Sequence, residues 1–343
     1  MALVLTLGEL LAEFLRPGVD QPLDRPGEML GPFPGGAPVI FIATVARLGW
    51  PAAMIGLVGA DPFGDMLVRR LETDGVDVRG VRRTSATTTA VAFVAYAADG
   101  SRQFIFHLAD AAAGRLGPAD VDPNLAQQAV WLHLSGSALS ISESMRAACM
   151  RALELATDAR VSLDPNLRPE LLGGVERARA LLAPILARAE IVFPSAGELE
   201  AMTGERDPDH AAQRLLAQGP HLVVLKRGAA GCTVYSASGP ADVPAFPVDE
   251  VDPTGAGDAF AAGFVVAVLR GLPPLEAARY ANAVGALAVS KRGPMEGATS
   301  DAEVQAFLAA HQHTSSATSV SYVQPKARSS PKSDFSTFFR GRS

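Results

Sequence analysis

The sequence predicts an α/β protein of three layers, α/β/α, with a central, mostly parallel sheet and a small β-sheet lid beside it. Three observations carry this. Short β-branched and leucine runs alternate with helical patterns along most of the chain, as in a parallel sheet covered on both faces. One β-rich hairpin interrupts the alternation and therefore falls outside that sheet. Hydrophobic residues make up 48% of the 343 positions and charged residues 19%, enough for one large domain with a sizeable core.

Leu3 to Leu7 reads as a buried first strand ending at Gly8, and Glu9 to Leu15 as a more exposed second strand. Residues 17–38 are dense in Pro and Gly and read as loop with short strand pieces. Pro38 opens a helix that ends at Gly49. Ala52 to Val58 is a strand, and Asp61-Pro62 opens a helix that Gly75 stops. Thr87 to Tyr96 and Arg102 to His107 flank Asp99-Gly100, which marks the hairpin.

The alternation resumes at Ala129. Residues 130–134, 161–163, 191–193 and 222–225 are expected as strands, and residues 142–157, 175–189, 196–203 and 209–218 as helices. Residues 232–235 and 243–247 read as antiparallel additions, and helices over 258–270, 274–290 and 301–310 close the domain, placed at 1–310. Residues 311–343 are rich in Ser, Thr, Pro and basic side chains without periodicity, and read as a disordered tail. Phe335, Phe338 and Phe339 give that tail a means of docking, but a passive tail is the plainer reading. Lys326, Arg328, Lys332, Arg340 and Arg342 against Asp334 leave the tail four charges positive, so the rest of the chain carries about −10 of the formal −6.

That balance argues against nucleic acid as a bulk electrostatic partner. Cys149 and Cys232 lie too far apart in sequence to suggest a disulfide framework or a zinc site, which fits a reducing cytoplasm. The apolar start, Met1 to Leu15, is broken by Glu9 and Glu13 with no Lys or Arg before it, unlike a signal peptide. No apolar run reaches the roughly 18 residues that a membrane span needs.

The chemistry concentrates in Val251-Asp252-Pro253-Thr254-Gly255-Ala256-Gly257-Asp258-Ala259-Phe260, followed by an Ala/Val/Leu run to Arg270. This is a loop opening a helix. Gly255 and Gly257 let backbone amides of residues 255–258 approach a ligand, and the first amides of a helix favour an anion such as phosphate. Asp258 is unfavourable beside a phosphate unless it takes a proton from a hydroxyl attacking that phosphate. The combination reads as phosphoryl transfer. A tight turn with Asp258 as a helix cap is the competing reading. Neither the Walker pattern nor the G-x-G-x-x-G dinucleotide pattern is present, since position 260 is Phe.

Residues 252–260 resemble the C-terminal signature of the ribokinase-like (PfkB) carbohydrate kinases. Gly35-Gly36-Ala37-Pro38 with Ala46-Arg47-Leu48-Gly49 resembles that family's N-terminal signature. The resemblance covers roughly residues 3–310. It implies a ribokinase-like fold, ATP and Mg2+ as cofactors, and a lid built from about 9–34 and 85–110. It also implies pairing of lids in a homodimer, a sugar substrate, Asp258 as general base, and amides of Gly255, Ala256 and Gly257 holding the transferred group.

Further residues follow from the resemblance. Lys226 and Gly228, with Gly231, would contact ATP after a strand end, where a solvated surface turn is the alternative. Ser195 and Glu198 resemble the N-x-x-E segment, with Glu198 near Mg2+. Ser195 replaces the usual Asn, and without the family Glu198 is a first-turn acid favoured by the helix dipole. Asp164, Asn166 and Arg168 resemble a D-x-N-x-R segment lining the sugar and phosphate region, where strand ends of open α/β sheets place ligands. A capped turn would leave the same trace. Asn282 matches an adenine-facing position, although a helix–helix hydrogen bond would serve it equally. Potassium would sit near Asp252 and Thr254, with backbone oxygens near Ala288, Lys291, Gly293 and Gly297.

Glu13, Gly35, Gly36 and His107 are the expected sugar contacts, His107 being equally readable as an ordinary lid residue. Ile40 stands where the family usually has Asn, and Leu108 where 2-keto-3-deoxygluconate kinases often have Arg. The loss of that cation favours a neutral ketohexose, fructose or tagatose, over 2-keto-3-deoxygluconate. A nucleoside kinase and a sugar-binding regulator without catalysis are the remaining alternatives.

Overall fold

The computed structural model describes residues 2–99, 102–167 and 172–311. Arg168 and the tail after His311 lie outside them. The strands in chain order are β1 (Leu3–Leu7), β2 (Leu11–Val19), β3 (Leu30–Gly35), β4 (Ala52–Gly59), β5 (Asp77–Thr84), β6 (Ala90–Tyr96), β7 (Arg102–His107), β8 (Ala129–Ser135), β9 (Arg160–Asp164), β10 (Ala189–Val192), β11 (Leu222–Lys226), β12 (Cys232–Ser236) and β13 (Gly239–Val243).

Nine strands form the main sheet in the order β13-β12-β11-β10-β9-β8-β1-β4-β5. Its pairs are parallel except β11–β12 and β12–β13. Two apolar cores lie on its two faces. One packs the helices Ala37–Arg47, Ala256–Leu269 and Pro274–Ala288, and the other the helices Glu143–Leu155 and Val175–Leu186. The expected three-layer α/β/α arrangement is present, with nearly continuous apolar runs such as Ala52–Gly59, buried at every position.

The second sheet has the order β3-β2-β6-β7. The hairpin β6–β7 belongs to it, as the broken alternation predicts. β2 pairs parallel with β6, placing Glu13 opposite Ala92.

One strand was not expected, and one expectation needs correction. Residues 77–84 form an unforeseen edge strand, parallel to β4. The antiparallel addition expected at 243–247 lies earlier, at Gly239–Val243, because Ser236 pairs with Gly239 across a two-residue turn. Short helices at Pro123–Gln128 and Gly136–Ile141 were also unforeseen.

A charged cluster fastens the loop before the last helix. Arg70 donates to Glu296 (2.9 Å), to the Met295 carbonyl (2.9 Å) and to Asp74 (2.9 Å), and Arg47 also donates to Asp74.

Candidate active site

Five parallel strands bring polar residues to their carboxyl ends at one place: Glu9 after β1, Ser135 and Ser137 after β8, Asp164 at the end of β9, Ser195 and Glu198 after β10, and Lys226 at the end of β11. Ligands of open α/β sheets bind there. Two cavities open over these ends. The larger, of about 500 Å³, takes in Glu9, Glu13, Asp164, Glu198, Gly255 and Asp258. The smaller, of about 380 Å³, runs past Gly228, Gly231, Phe246, Ala256 and Asn282. Lys226, Pro253 and Gly257 line both.

The helix Ala256–Leu269 begins at this meeting point. Its N-cap is Gly255, at φ 80°, and no side chain caps it. A Cβ at Gly255 would stand 2.7 Å from the Pro294 carbonyl and 2.9 Å from Ile40, so only glycine fits. The positive end of the helix dipole and the Gly257 amide therefore lie at the junction of the two cavities, where they favour an anion. Asp258 is half-buried and lines the larger cavity; it does not turn into the core. Ile40, at the place of the usual Asn, lines the same wall.

Lys226 donates to the Asp164 carboxylate, and both line the larger cavity with Thr254, Gly255 and Asp258. Burial works against the Lys226 ammonium, but the carboxylates of Asp164, Glu198 and Asp258 outweigh it and hold its pKa above the ordinary lysine value. Lys226 therefore remains a fixed cation between the two cavities. Glu198 accepts from the Leu167 amide (3.0 Å), the Ser195 amide (2.7 Å) and the Ser195 hydroxyl (2.8 Å). This is a capping box that fixes the helix Ala196–Thr203, and it also turns the carboxylate toward the larger cavity. Ser195 bridges Lys226 in parallel pairing, and both residues line the larger cavity.

Glu13 is 5% exposed, and its Oε1 is buried with no hydrogen-bond partner among the described residues. Burial, then the charge of Asp252, push its pKa up to about 7, against the pull of Arg102. Glu9 accepts from Ser137 (2.7 Å), whose hydroxyl also meets that of Ser135 (2.8 Å).

The chain matches the model of the pfkB family carbohydrate kinases over residues 1–301. It belongs to that family. Membership makes it a phosphotransferase with a sugar hydroxyl as acceptor. Among relatives, Fructokinase-1 of Zea mays is 36% identical over 312 residues, 88% of this chain and 96% of that protein. Among solved structures, an Escherichia coli protein determined with ATP and Mg2+ is 40% identical, with a TM-score of 0.85 over 91% of this chain and 100% of that one. Fructokinase of Vibrio cholerae O395, determined with fructose, ADP and calcium, is 27% identical with a TM-score of 0.78, over 90% and 99% of the two chains.

Within this PfkB fold, Glu13, Gly36, Asp164 and Asn166 line the larger cavity. Gly35 does not; it lies behind Glu13, where a Cβ would stand 3.4 Å from the carboxylate. His107 is also displaced from its expected role. On β7 the residues that face the cavity are Arg102, Phe104 and Phe106, followed by Leu108, and alternation sends His107 to the other, exposed face. Arg102 restores a cation that Leu108 in place of Arg had suggested was lost. Its guanidinium lies 5.7 Å from the Phe104 ring, and Phe104 stacks on Phe106 at 5.2 Å. Arg102, Phe104, Phe106, Glu9 and Ser137 were missed; the strand period of two applied to 102–108 finds the first three.

Asn282 lines the smaller cavity, but its amide donates to the carbonyls of Val243 (3.1 Å) and Pro244 (3.0 Å), not to another helix. It holds the segment carrying Ala245 and Phe246 as the wall of that cavity. Around Asp252, the Gly293 amide donates to the carboxylate (2.9 Å), and the Asp252 amide donates to the Val289 carbonyl (3.2 Å). Gly297 packs on the Ala288 carbonyl, 2.0 Å from where a Cβ would sit. Thr254 and Gly293 thus meet Asp252 directly, Ala288 and Gly297 pack on one another, and Lys291 is exposed. No group of three or more acidic, His or Cys side chains able to hold a metal occurs among the described residues. A hard divalent ion beside Glu198 would depend on phosphate oxygens for most of its ligands, as Mg2+ commonly does.

Proposed function

We propose that this kinase transfers the γ-phosphoryl group of ATP to a primary hydroxyl of a ketohexose, fructose ahead of tagatose. The observation that carries the reading is the placing of Asp258, Lys226 and the glycine-opened N-terminus of the helix Ala256–Leu269 where the two cavities meet. The smaller cavity receives the nucleotide between Gly228, Phe246 and Asn282, and the larger receives the sugar between Glu13, Asp164 and the β7 wall.

In the reaction, Asp258 accepts the proton of the sugar hydroxyl as its oxygen bonds to the γ-phosphorus. The bond from that phosphorus to the β,γ-bridging oxygen breaks, and ADP leaves. Amides at residues 255–258 and the Lys226 ammonium receive the charge that develops on the equatorial oxygens. Glu13 accepts a sugar hydroxyl with the oxygen that otherwise has no partner. Glu198 would hold Mg2+, which when bound neutralises phosphate charge. Asp252 and Thr254, with the backbone at Ala288, Gly293 and Gly297, form the place for a potassium ion. The domain is read as 1–310, with the small sheet as its lid, pairing in a cytoplasmic homodimer.

Arg102 on the cavity wall favours one second reading, 2-keto-3-deoxygluconate as acceptor, since a guanidinium there suits a carboxylate. The test is ADP release with a panel of neutral and acidic sugars at equal concentration. Fructose giving the highest kcat/KM supports the proposal. The acidic sugar giving it installs the second reading, and no sugar-dependent ADP release at all overturns both.

A further inference from the structure

The small sheet and the anion loop meet through one hydroxyl. Tyr96, at the end of β6, donates to Asp252 Oδ1 (2.8 Å) and lies 2.9 Å from the Thr254 hydroxyl. Asp252 is 2% exposed. The same Oδ1 accepts the Thr254 amide (3.0 Å), and Oδ2 accepts the Gly293 amide (2.9 Å). Asp252 and Thr254 lead directly into Gly255 and the amides that follow.

Two more contacts join the same parts. Arg292 donates to the Pro17 carbonyl at 3.3 Å, and Phe33 of β3 packs on Gly293. β3 and β6 flank β2, where Glu13 stands opposite Phe33 and Ala92. A sugar that engages Glu13 and the β7 wall therefore acts on the sheet that holds Tyr96. Hydrogen bonds weaken steeply with distance and angle, so a small shift of that sheet loosens Asp252 and Thr254 and, with them, the first turn of the helix.

We propose that Tyr96 is a positioning residue that couples occupancy of the sugar cavity to the geometry of the phosphate-binding amides. This rests on the reading of the two cavities given above. Such coupling is reciprocal: sugar tightens nucleotide binding by the factor by which nucleotide tightens sugar binding.

The test is calorimetric titration of a non-hydrolysable ATP analogue with Mg2+, with and without saturating fructose or whichever panel sugar turns over best. In the wild type the sugar is expected to tighten the analogue by roughly five- to fiftyfold. Tyr96→Phe is expected to reduce that factor to about two or less, while each ligand alone binds within about threefold of wild type, and to raise the sugar KM at saturating ATP by roughly the factor of coupling lost. Thr254→Val, which removes one of the two contacts of the Tyr96 hydroxyl, is expected to reduce the factor part of the way, and the double variant to show no loss beyond that of Tyr96→Phe. Wild-type coupling retained in Tyr96→Phe, or no coupling in the wild type, overturns the proposal while leaving the functional reading standing. Failure of the wild type to bind the analogue at all overturns the functional reading itself.

Discussion

Lys226 at the end of β11 donates its ammonium to Asp164 at the end of β9, across the end of the intervening strand β10. The Asp164 side chain is 2% exposed and that of Lys226 18%. Removing one member of such a pair leaves a buried charge uncompensated.

Lys226→Met is therefore expected to destabilise the fold by about 3–5 kcal/mol, and Lys226→Met with Asp164→Asn to recover much of that loss. Urea unfolding of the three proteins measures it. A single variant as stable as the wild type would show that the pair does not hold the strand ends together.

Glu13 supplies a pH dependence with a definite sign. Its folded pKa, about 7, lies above the 4.5 of an ordinary glutamate. The folded state thus holds the proton more tightly, so stability from this group is full below about pH 4.5 and falls as pH rises to about 7. The loss is about 3 kcal/mol. Glu13→Gln should flatten this part of the stability–pH curve and be the more stable protein at pH 8, while raising the sugar KM. Parallel unfolding curves for both proteins from pH 5 to 8 would contradict the assignment.

Arg102 separates the two acceptor readings. It is exposed, so its loss should lower kcat/KM for a neutral ketohexose by roughly fivefold or less. If a sugar carboxylate bonds to it, Arg102→Ala should cost about tenfold or more with the acidic sugar. Equal effects on both sugars would remove Arg102 from substrate selection.

Much of this arrangement is legible in the sequence because single residues declare local geometry. Asp61 caps the helix Pro62–Thr73 as its position before Pro62 implies, and Gly255 marks the one backbone site where a side chain would strike Pro294 and Ile40. β5 escapes notice because Asp77, Arg79, Arg82 and Arg83 make an edge strand look like a polar turn. Asn282 shows a different limit. Its burial among alanines calls for a partner, but only tertiary packing shows that the partner is the backbone at Val243–Pro244. The Tyr96–Asp252 contact spans 156 positions and leaves no local trace. His107 and Arg102 differ only in strand face, which is fixed once β7 pairs with β6.

Asp258 carries the most direct test. Asp258→Asn keeps the size of the side chain and removes the base. The measurement is kcat for ADP release with the best acceptor sugar, alongside calorimetric affinity for ATP and thermal unfolding. The expected result is a loss of about 10²–10⁴-fold in kcat with folding and ATP affinity nearly unchanged. Turnover within a few-fold of wild type would contradict the account.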